Sequence, residues 1–242
     1  MRYAIISDIH SNLVALDACL AEIDRLGVET ILCLGDIVGY GADPNGCVAR
    51  VRERAAHVVL GNHDAAVAGR TDPGTFNGDA RSAVEWTRAA LAPEHLDYLK
   101  ALPYVQVVDR EILIVHSGPG RPPAWEYLFD VLDAEREFAT FEQQLCFVGH
   151  THFPQCFIES GGEVRQLQPP CHQLARGERA LVNVGSVGQP RDGDARAAFG
   201  LYDGRSATIE IRRVQYDVVR VKDGIRAVEL PASAATRLDW GV

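Results

Sequence analysis

Apolar and polar positions alternate along the first half of the chain in two recurring patterns. Short apolar runs are typical of buried strands, and longer stretches repeat apolar residues at helical spacing. The strands are predicted at residues 3–6, 31–34 and 58–60. Helices are predicted at residues 13–26, ended by Gly27, and from Pro44, capped by Asp43, toward residue 54. This alternation predicts right-handed crossovers and a largely parallel sheet.

The second half begins with helical patterns and then changes to short strands. Helices are predicted at residues 79–91, 93–102 and 125–143, with strands at 112–115 and 146–148. Short strands with Gly-rich turns follow at residues 156–158, 164–167, 181–184, 199–202 and 207–214, before a last helix at 218–228. These strands predict a second, more antiparallel sheet. No repeat or linker interrupts the chain, so we expect a single α/β domain over residues 1–242.

Composition narrows the location and the class of partner. No window of about 18 apolar residues predicts a membrane span, and the N-terminus lacks the pattern of a signal peptide. We therefore expect a cytoplasmic protein that does not contact membranes. The net charge of −9 argues against general nucleic-acid binding. The negative net charge remains compatible with a small phosphorylated substrate if the protein binds metal ions, because their charge would dominate near the substrate.

Five apolar runs end in clusters of Asp, Asn or His. The clusters are Asp8-Ile9-His10, Gly35-Asp36, Gly61-Asn62-His63-Asp64, His116 and Gly149-His150-Thr151-His152. Ligands of open α/β sheets bind beyond the carboxyl ends of the strands, so we expect the clusters to converge on one site. Residues i and i+2 of an extended chain project to one side, which lets a cluster present two ligands. The glycines before the ligands allow close approach of the backbone.

These side chains favour a metal site. Oxygen and nitrogen donors without clustered cysteines suit manganese, iron, cobalt, nickel or zinc, and we expect manganese first. Seven candidate ligands exceed the four of one tetrahedral centre, so two divalent ions that share a bridging carboxylate explain the number more simply. A single histidine at a strand end usually makes only a hydrogen bond. Coincidence, however, would have to explain all five clusters at once.

The clusters also carry a family resemblance. In order along the chain they match D-x-H, G-D-x-x-[DG] (Gly35 to Gly39), G-N-H-[DE], a lone His after a strand, and G-H-x-H. The chain thereby resembles the calcineurin-like metallophosphoesterases, from residue 1 to about residue 195. The segment from Asn183 to Asp192 is similar to a bacterial branch often labelled diadenosine tetraphosphatase-like or small phosphodiesterases. The fold implied is a sandwich of two mixed β-sheets flanked by α-helices.

The resemblance implies a role for each matched residue. Asp8, His10 and His152 would hold the first metal, Asn62, His116 and His150 the second, and Asp36 would bridge them. His63 would face the substrate phosphate, and Asp64 would orient His63. Ser117 follows His116 where many members have Gly, a small change from which we expect little consequence.

The expected reaction is hydrolysis of a phosphomonoester or phosphodiester. A hydroxide that bridges the two ions would attack phosphorus, and His63 would assist the leaving oxygen. Three further residues are predicted to contact substrate. They are Tyr40, Arg191, which could also be a solvated arginine, and Asn12, which could instead cap the following helix.

The same residues argue against competing functions. A catalytically inactive scaffold of this fold would have lost ligands or His63, and all are present. An amidohydrolase would show an N-terminal H-x-H and a barrel-like repetition, which are absent. The chain also lacks a phosphate-binding P-loop motif and a complete dinucleotide-binding glycine pattern. The substrate stays open among nucleotides, dinucleoside polyphosphates, phosphomonoesters and phosphoproteins, as does the oligomeric state.

Overall fold

A computed structural model describes residues 1–168 and 171–242. The strands are β1 Arg2–Ile6, β2 Thr30–Cys33, β3 His57–Val58, β4 Val105–Val108, β5 Ile112–Val115, β6 Leu145–Val148, β7 Gln155–Ser160, β8 Glu163–Leu167, β9 Cys171–Gln173, β10 Arg179–Asn183, β11 Ala197–Asp203 and β12 Thr208–Val214. The helices are α1 Leu13–Arg25, α2 Pro44–Arg54, α3 Asn62–Val67, α4 Gly78–Ala90, α5 Pro93–Ala101, α6 Val131–Phe138, α7 Val218–Ala227 and α8 Ala232–Thr236. Within these described ranges, no helix is long and apolar enough to cross a membrane.

The strands of the described residues form two six-stranded mixed sheets. The first sheet has the order β3-β2-β1-β11-β12-β9, with β1, β2 and β3 parallel and β11 antiparallel to β1. The second has the order β4-β5-β6-β10-β7-β8, with β5, β6 and β10 parallel. Each sheet therefore has a parallel part whose carboxyl ends point the same way.

A buried apolar layer joins the two sheets. Ile5 and Leu32 of the first sheet belong to one core cluster with Ile114, Phe147 and Val182 of the second. Helices cover the outer faces, as with α1, whose apolar positions pack into a cluster with the outer side of β1. The predicted fold of two mixed sheets packed as a sandwich and flanked by helices is confirmed.

The distribution of strands between the sheets differs from the prediction. Strands β5 and β6 lie in the second sheet, whereas the late strands β11 and β12 extend the first sheet beside β1. Local patterns identify a strand but not its neighbour, because neighbours are selected by packing between residues far apart in sequence.

The predicted helix over residues 125–143 is mostly wrong. Only α6 is helical there, and Trp125 adopts a left-handed backbone with φ 55°. The short elements α3, α8, β4 and β9 were not predicted. Helix α3 matters most, because it begins within the third ligand cluster and carries Asn62 and His63 in its first turn.

Candidate metal centre

The structure brings the five polar clusters together at the carboxyl ends of the parallel strands. All predicted metal ligands are buried: Asp8, His10, Asp36, Asn62, His116, His150 and His152. Ligand atoms within 4.8 Å of one another form three groups, which are Asp8–His10–His152, His10–Asp36–His63 and Asp8–Asp36–His116. The first group is the set predicted for the first ion, and Asp36 belongs to the other two.

The backbone turns sharply where each strand delivers its ligands. Asp8, His10 and Asp36 have φ between 49° and 52°, a left-handed conformation that costs energy for residues with a Cβ and is typical of functional sites. The glycines before the ligands are required because a side chain at these positions would not fit. A Cβ on Gly61 would collide with the Asp36 carboxylate, and one on Gly149 would collide with that of Asp8.

Three of the histidines are oriented in the same way. In His10, His116 and His152, Nδ1 faces a backbone carbonyl and Nε2 faces the centre of the site. The acceptors are the carbonyl oxygens of Val38 (3.3 Å), Leu34 (2.9 Å) and Gln189 (2.5 Å), respectively. A carbonyl at Nδ1 keeps the proton there and leaves the Nε2 lone pair free, as in protein metal sites.

This orientation brings acceptor atoms face to face. The Nε2 atoms of His10 and His152 are 3.1 Å apart. Nε2 of His116 lies 3.1 Å from Oδ1 of Asn62 and 3.4 Å from Oδ2 of Asp36. Lone pairs at these distances repel unless a cation or a proton lies between them. The donor set therefore fits divalent metal ions bound by nitrogen and oxygen.

Charge is distributed unevenly over the site. Burial would raise the pKa of Asp36, but the imidazoles of His116 and His63 outweigh it and hold the pKa well below its usual range. Burial lowers the pKa of His10 strongly and that of His63 to about 4. For His116, burial is outweighed by the Asp36 and Asp8 carboxylates, which raise the pKa to about 9. Two carboxylates thus remain ionised among mostly neutral imidazoles.

His150 is held at the margin of this arrangement. Its backbone N–H donates to Oδ2 of Asp8 at 3.0 Å, and its Nε2 lies 2.9 Å from the carbonyl oxygen of Trp125. The ring of Tyr127 stacks on the imidazole at a centroid distance of 4.3 Å. His150 is in none of the three ligand groups, so its role as a ligand stays a prediction.

His63 lies beside the candidate metal positions but has no orienting carboxylate. Its backbone N–H donates to Oδ1 of Asp36 at 2.8 Å, and its ring packs against Gly39. Among the described residues, Nδ1 of His63 has no hydrogen-bond partner.

The prediction that Asp64 orients the His63 ring is not met. The Asp64 carboxylate instead accepts hydrogen bonds from the backbone N–H groups of Val38 (3.0 Å) and Gly61 (3.2 Å). Asp64 is the third residue of α3, where a carboxylate reaches the free amides of the preceding turn more easily than a neighbouring ring. Burial raises the pKa of Asp64 to about 7.

The three predicted substrate contacts differ in position. Asn12 caps α1 through Oδ1, which accepts from Ala15 N–H at 3.0 Å, while its Nδ2 donates to the Gly188 carbonyl at 2.9 Å. These hydrogen bonds confirm the capping alternative, and a contact of Asn12 with substrate stays a prediction. The ring of Tyr40 lies 4.9 Å from that of His10 and 4.6 Å from that of His63.

Arg191, the third predicted contact, lies close to the site with its guanidinium 5.9 Å from the Tyr40 ring. Sequence reasoning missed Trp125, Tyr127 and Gln189, which contact His150 or His152, and Arg237, which contacts Gln189. Gln189 lies in the Gly/Pro-rich loop that the family resemblance had marked, a signal that could have found it. Trp125 and Tyr127 were hidden in the segment predicted as helix.

Comparison with known proteins identifies the class to which this fold and site belong. A family model described as the calcineurin-like phosphoesterase superfamily domain matches residues 1–206. The chain belongs to this family, which confirms the resemblance seen in its motifs.

Particular relatives match over nearly the whole chain. The uncharacterized protein MJ0912 of Methanocaldococcus jannaschii is 39% identical over 242 residues, covering 98% of this chain and 97% of that protein. The crystal structure of a metallophosphoesterase from Sphaerobacter thermophilus is 40% identical, with a TM-score of 0.88 and coverage of 100% and 99%. The hypothetical protein PH1004 from Pyrococcus horikoshii shares the fold at 22% identity, with a TM-score of 0.81 and coverage of 100% and 98%.

Proposed function

We propose that this chain is a phosphoesterase that hydrolyses a small phosphate ester with two divalent metal ions. The observation that carries the proposal is the contact of two nitrogen acceptors, His10 Nε2 and His152 Nε2, 3.1 Å apart, with His116 Nε2 3.1 Å from Asn62 Oδ1 beside them. Buried carboxylates beside these atoms need a cation, because an uncompensated buried charge is costly. We expect manganese as the first ion to test, and a cytoplasmic enzyme.

The ligands would be divided between the two ions. Asp8, His10 and His152 would hold one, Asn62, His116 and His150 the other, and Asp36 would bridge them. Bound there, the ions would polarise phosphate oxygens and make a water acidic enough to attack phosphorus.

The other residues act on the substrate. His63 stays neutral because burial lowers its pKa to about 4, so its ring donates a hydrogen bond to the ester through its one N–H. Tyr40 packs against His63 and limits the movement of its ring. Arg191 binds phosphate oxygens with its planar fork.

The direct test is hydrolysis of bis- and mono-nitrophenyl phosphate by protein that is stripped with a chelator and reloaded. Manganese, iron, cobalt, nickel and zinc are compared, and bound metal is counted by elemental analysis. We expect about two ions per chain and metal-dependent release of nitrophenol. The ratio of diester to monoester turnover ranks the substrate classes.

Two results would decide against the proposal. Hydrolysis that survives complete removal of metal would exclude the mechanism. Two tightly bound ions without turnover of any nucleotide or phosphoester would favour the inactive scaffold instead.

A further inference from the structure

Two arginines from distant parts of the chain meet beside the candidate metal centre. Arg191 lies in the loop after β10, and Arg237 follows α8, beyond the residues that the family model matches. Both guanidiniums donate to Oε1 of Gln189, at 2.8 Å and 3.0 Å. The backbone carbonyl of the same Gln189 accepts from His152 at 2.5 Å. One residue thus connects the arginine pair, Arg191 and Arg237, to a predicted metal ligand.

The arginine pair has no neutralising carboxylate nearby. In the described part of the chain, no carboxylate oxygen lies within 4.0 Å of either guanidinium. The acidic residues closest in sequence to Arg191 are engaged elsewhere, Asp192 with Arg213 and Asp194 with Arg196. Two like charges are therefore held together without a carboxylate in direct contact, an arrangement that an anionic ligand would stabilise.

The carboxylate that acts on Arg237 from the surrounding helices does not change this. Asp79 of α4 raises the pKa of Arg237 but does not contact its guanidinium, and the Asp79 carboxylate accepts a hydrogen bond from the Ser233 hydroxyl instead. Burial and the charge of Arg191 act more strongly and lower the pKa of Arg237.

The arginine pair also has unused hydrogen-bond donors. The Nε atoms of Arg191 and Arg237 are buried and have no acceptor among the described residues. A buried donor without an acceptor costs free energy, so the pair is incomplete as it stands. Arginine forks match phosphate oxygens with two parallel hydrogen bonds each.

The arginine pair lies next to the position expected for the reacting phosphate. The Arg191 guanidinium lies 5.9 Å from the Tyr40 ring, on which the His63 ring packs at 4.6 Å. Arg191 and His63, the residue that would face the reacting ester, thus both lie against the Tyr40 ring. A group bound by the arginines would be a neighbour of the reacting phosphate in the same substrate.

We propose that Arg191 and Arg237 bind a second phosphoryl group, so that the substrate carries a diphosphate or longer phosphate chain. This inference rests on the proposed function and specifies the substrate class of the same site. It gives the segment after residue 206 a direct part in recognition.

The test compares methylenediphosphonate with inorganic phosphate as inhibitors of bis-nitrophenyl phosphate hydrolysis at a buffered free metal concentration. We expect the wild type to bind the diphosphonate at least about tenfold more tightly than phosphate. Arg191→Gln and Arg237→Gln should each reduce this preference by about tenfold, since charge-assisted hydrogen bonds have this strength. Arg226→Gln on exposed α7 is the matched control and should keep it.

Unfolding temperature with and without diphosphonate gives a second measurement that does not depend on turnover. Arg237→Lys keeps a charge but loses the fork, and it replaces Arg237→Gln if that variant does not fold. An unchanged preference in the Arg191 and Arg237 variants would overturn the inference while leaving the phosphoesterase proposal intact. Absence of ester hydrolysis in the wild type would instead contradict the proposed function, and the unfolding temperatures would still test the arginine pair.

Discussion

The two sheets contribute chemically different halves of the candidate metal centre. The first sheet supplies both carboxylates, Asp8 and Asp36, from the ends of β1 and β2. The second sheet supplies imidazoles only, His116 after β5 and the His150–His152 pair after β6. The carboxylate ligands therefore come from the first sheet, and most of the imidazole ligands come from the second.

This difference indicates a division of labour. The Asp8 and Asp36 carboxylates remain ionised at neutral pH and need a cation. Burial favours the neutral form of His10, His150 and His152, whereas the two carboxylates keep His116 protonated. Substitution of either carboxylate, Asp8 or Asp36, should therefore remove metal altogether. Substitutions that leave both carboxylates in place should change turnover, geometry or pH response by smaller amounts.

The largest effect is expected from Asp36→Asn. The loss of the bridging carboxylate should empty both metal positions and reduce turnover by at least ~10⁴-fold, since even one lost electrostatic donor costs about 10²–10³-fold. Elemental analysis and nitrophenyl ester assays measure this. Asp223→Asn, an exposed carboxylate of α7, is the control. Two tightly bound ions in Asp36→Asn would contradict the bridging role.

His63→Ala tests the first sheet without touching a carboxylate. We expect turnover to fall by ~10²–10⁴-fold while bound metal stays at the wild-type amount, because His63 acts on the ester. Near wild-type rates would exclude that role. Loss of metal in the variant would instead indicate that His63 is a metal ligand. Its ring nitrogen lies close enough to the ligand atoms of His10 and Asp36 for that role.

Gly149→Ala tests the contact between the second sheet, which carries Gly149, and the first sheet, which carries Asp8. The added Cβ would press on the Asp8 carboxylate and the Ser7 hydroxyl, at an expected cost of ~1–3 kcal/mol in the free energy of unfolding. Metal affinity should fall by about 10–100-fold, as it does when a residue that orients a metal ligand is substituted. Gly78→Ala, which meets no atom within 4 Å, is the control. Equal metal affinity in the two variants would show that Asp8 is not displaced.

The smallest effect expected is a pH dependence of the metal-free protein. Burial lowers the pKa of His63 to about 4 and that of His150 to about 3, against an ordinary value of 6.5. The unfolded chain then binds more protons, so the free energy of unfolding should fall as the pH drops below about 6.5. His116 acts oppositely, because its raised pKa contributes stability below 6.5 that is lost as the pH rises through about 9.

Urea unfolding with a chelator at pH 5, 7.5 and 10 measures both slopes. His63→Gln should reduce the acid slope and leave the alkaline slope unchanged. A profile that is flat from pH 5 to 7.5 in the wild type would show that these imidazoles are not buried in the neutral form.

The sequence by itself determined most elements and the polar clusters that the structure brings together. Strand periodicity, the Asp43–Pro44 helix start and the clusters after each apolar run are local signals, because each depends on residues adjacent in the chain. The need for glycine at positions 61 and 149 is also a local signal. A glycine directly before a candidate ligand indicates that another part of the chain approaches the backbone there.

Only the tertiary structure decided which strands are neighbours, which groups orient the ligands and which residues complete the site. Nothing near Asp64 in the sequence shows that backbone amides outcompete the His63 ring for its carboxylate. The carbonyls that fix His10, His116 and His152, and the meeting of Arg191 with Arg237 on Gln189, join residues far apart in the chain. Such contacts are selected by the packing of the whole sandwich, so no short pattern encodes them.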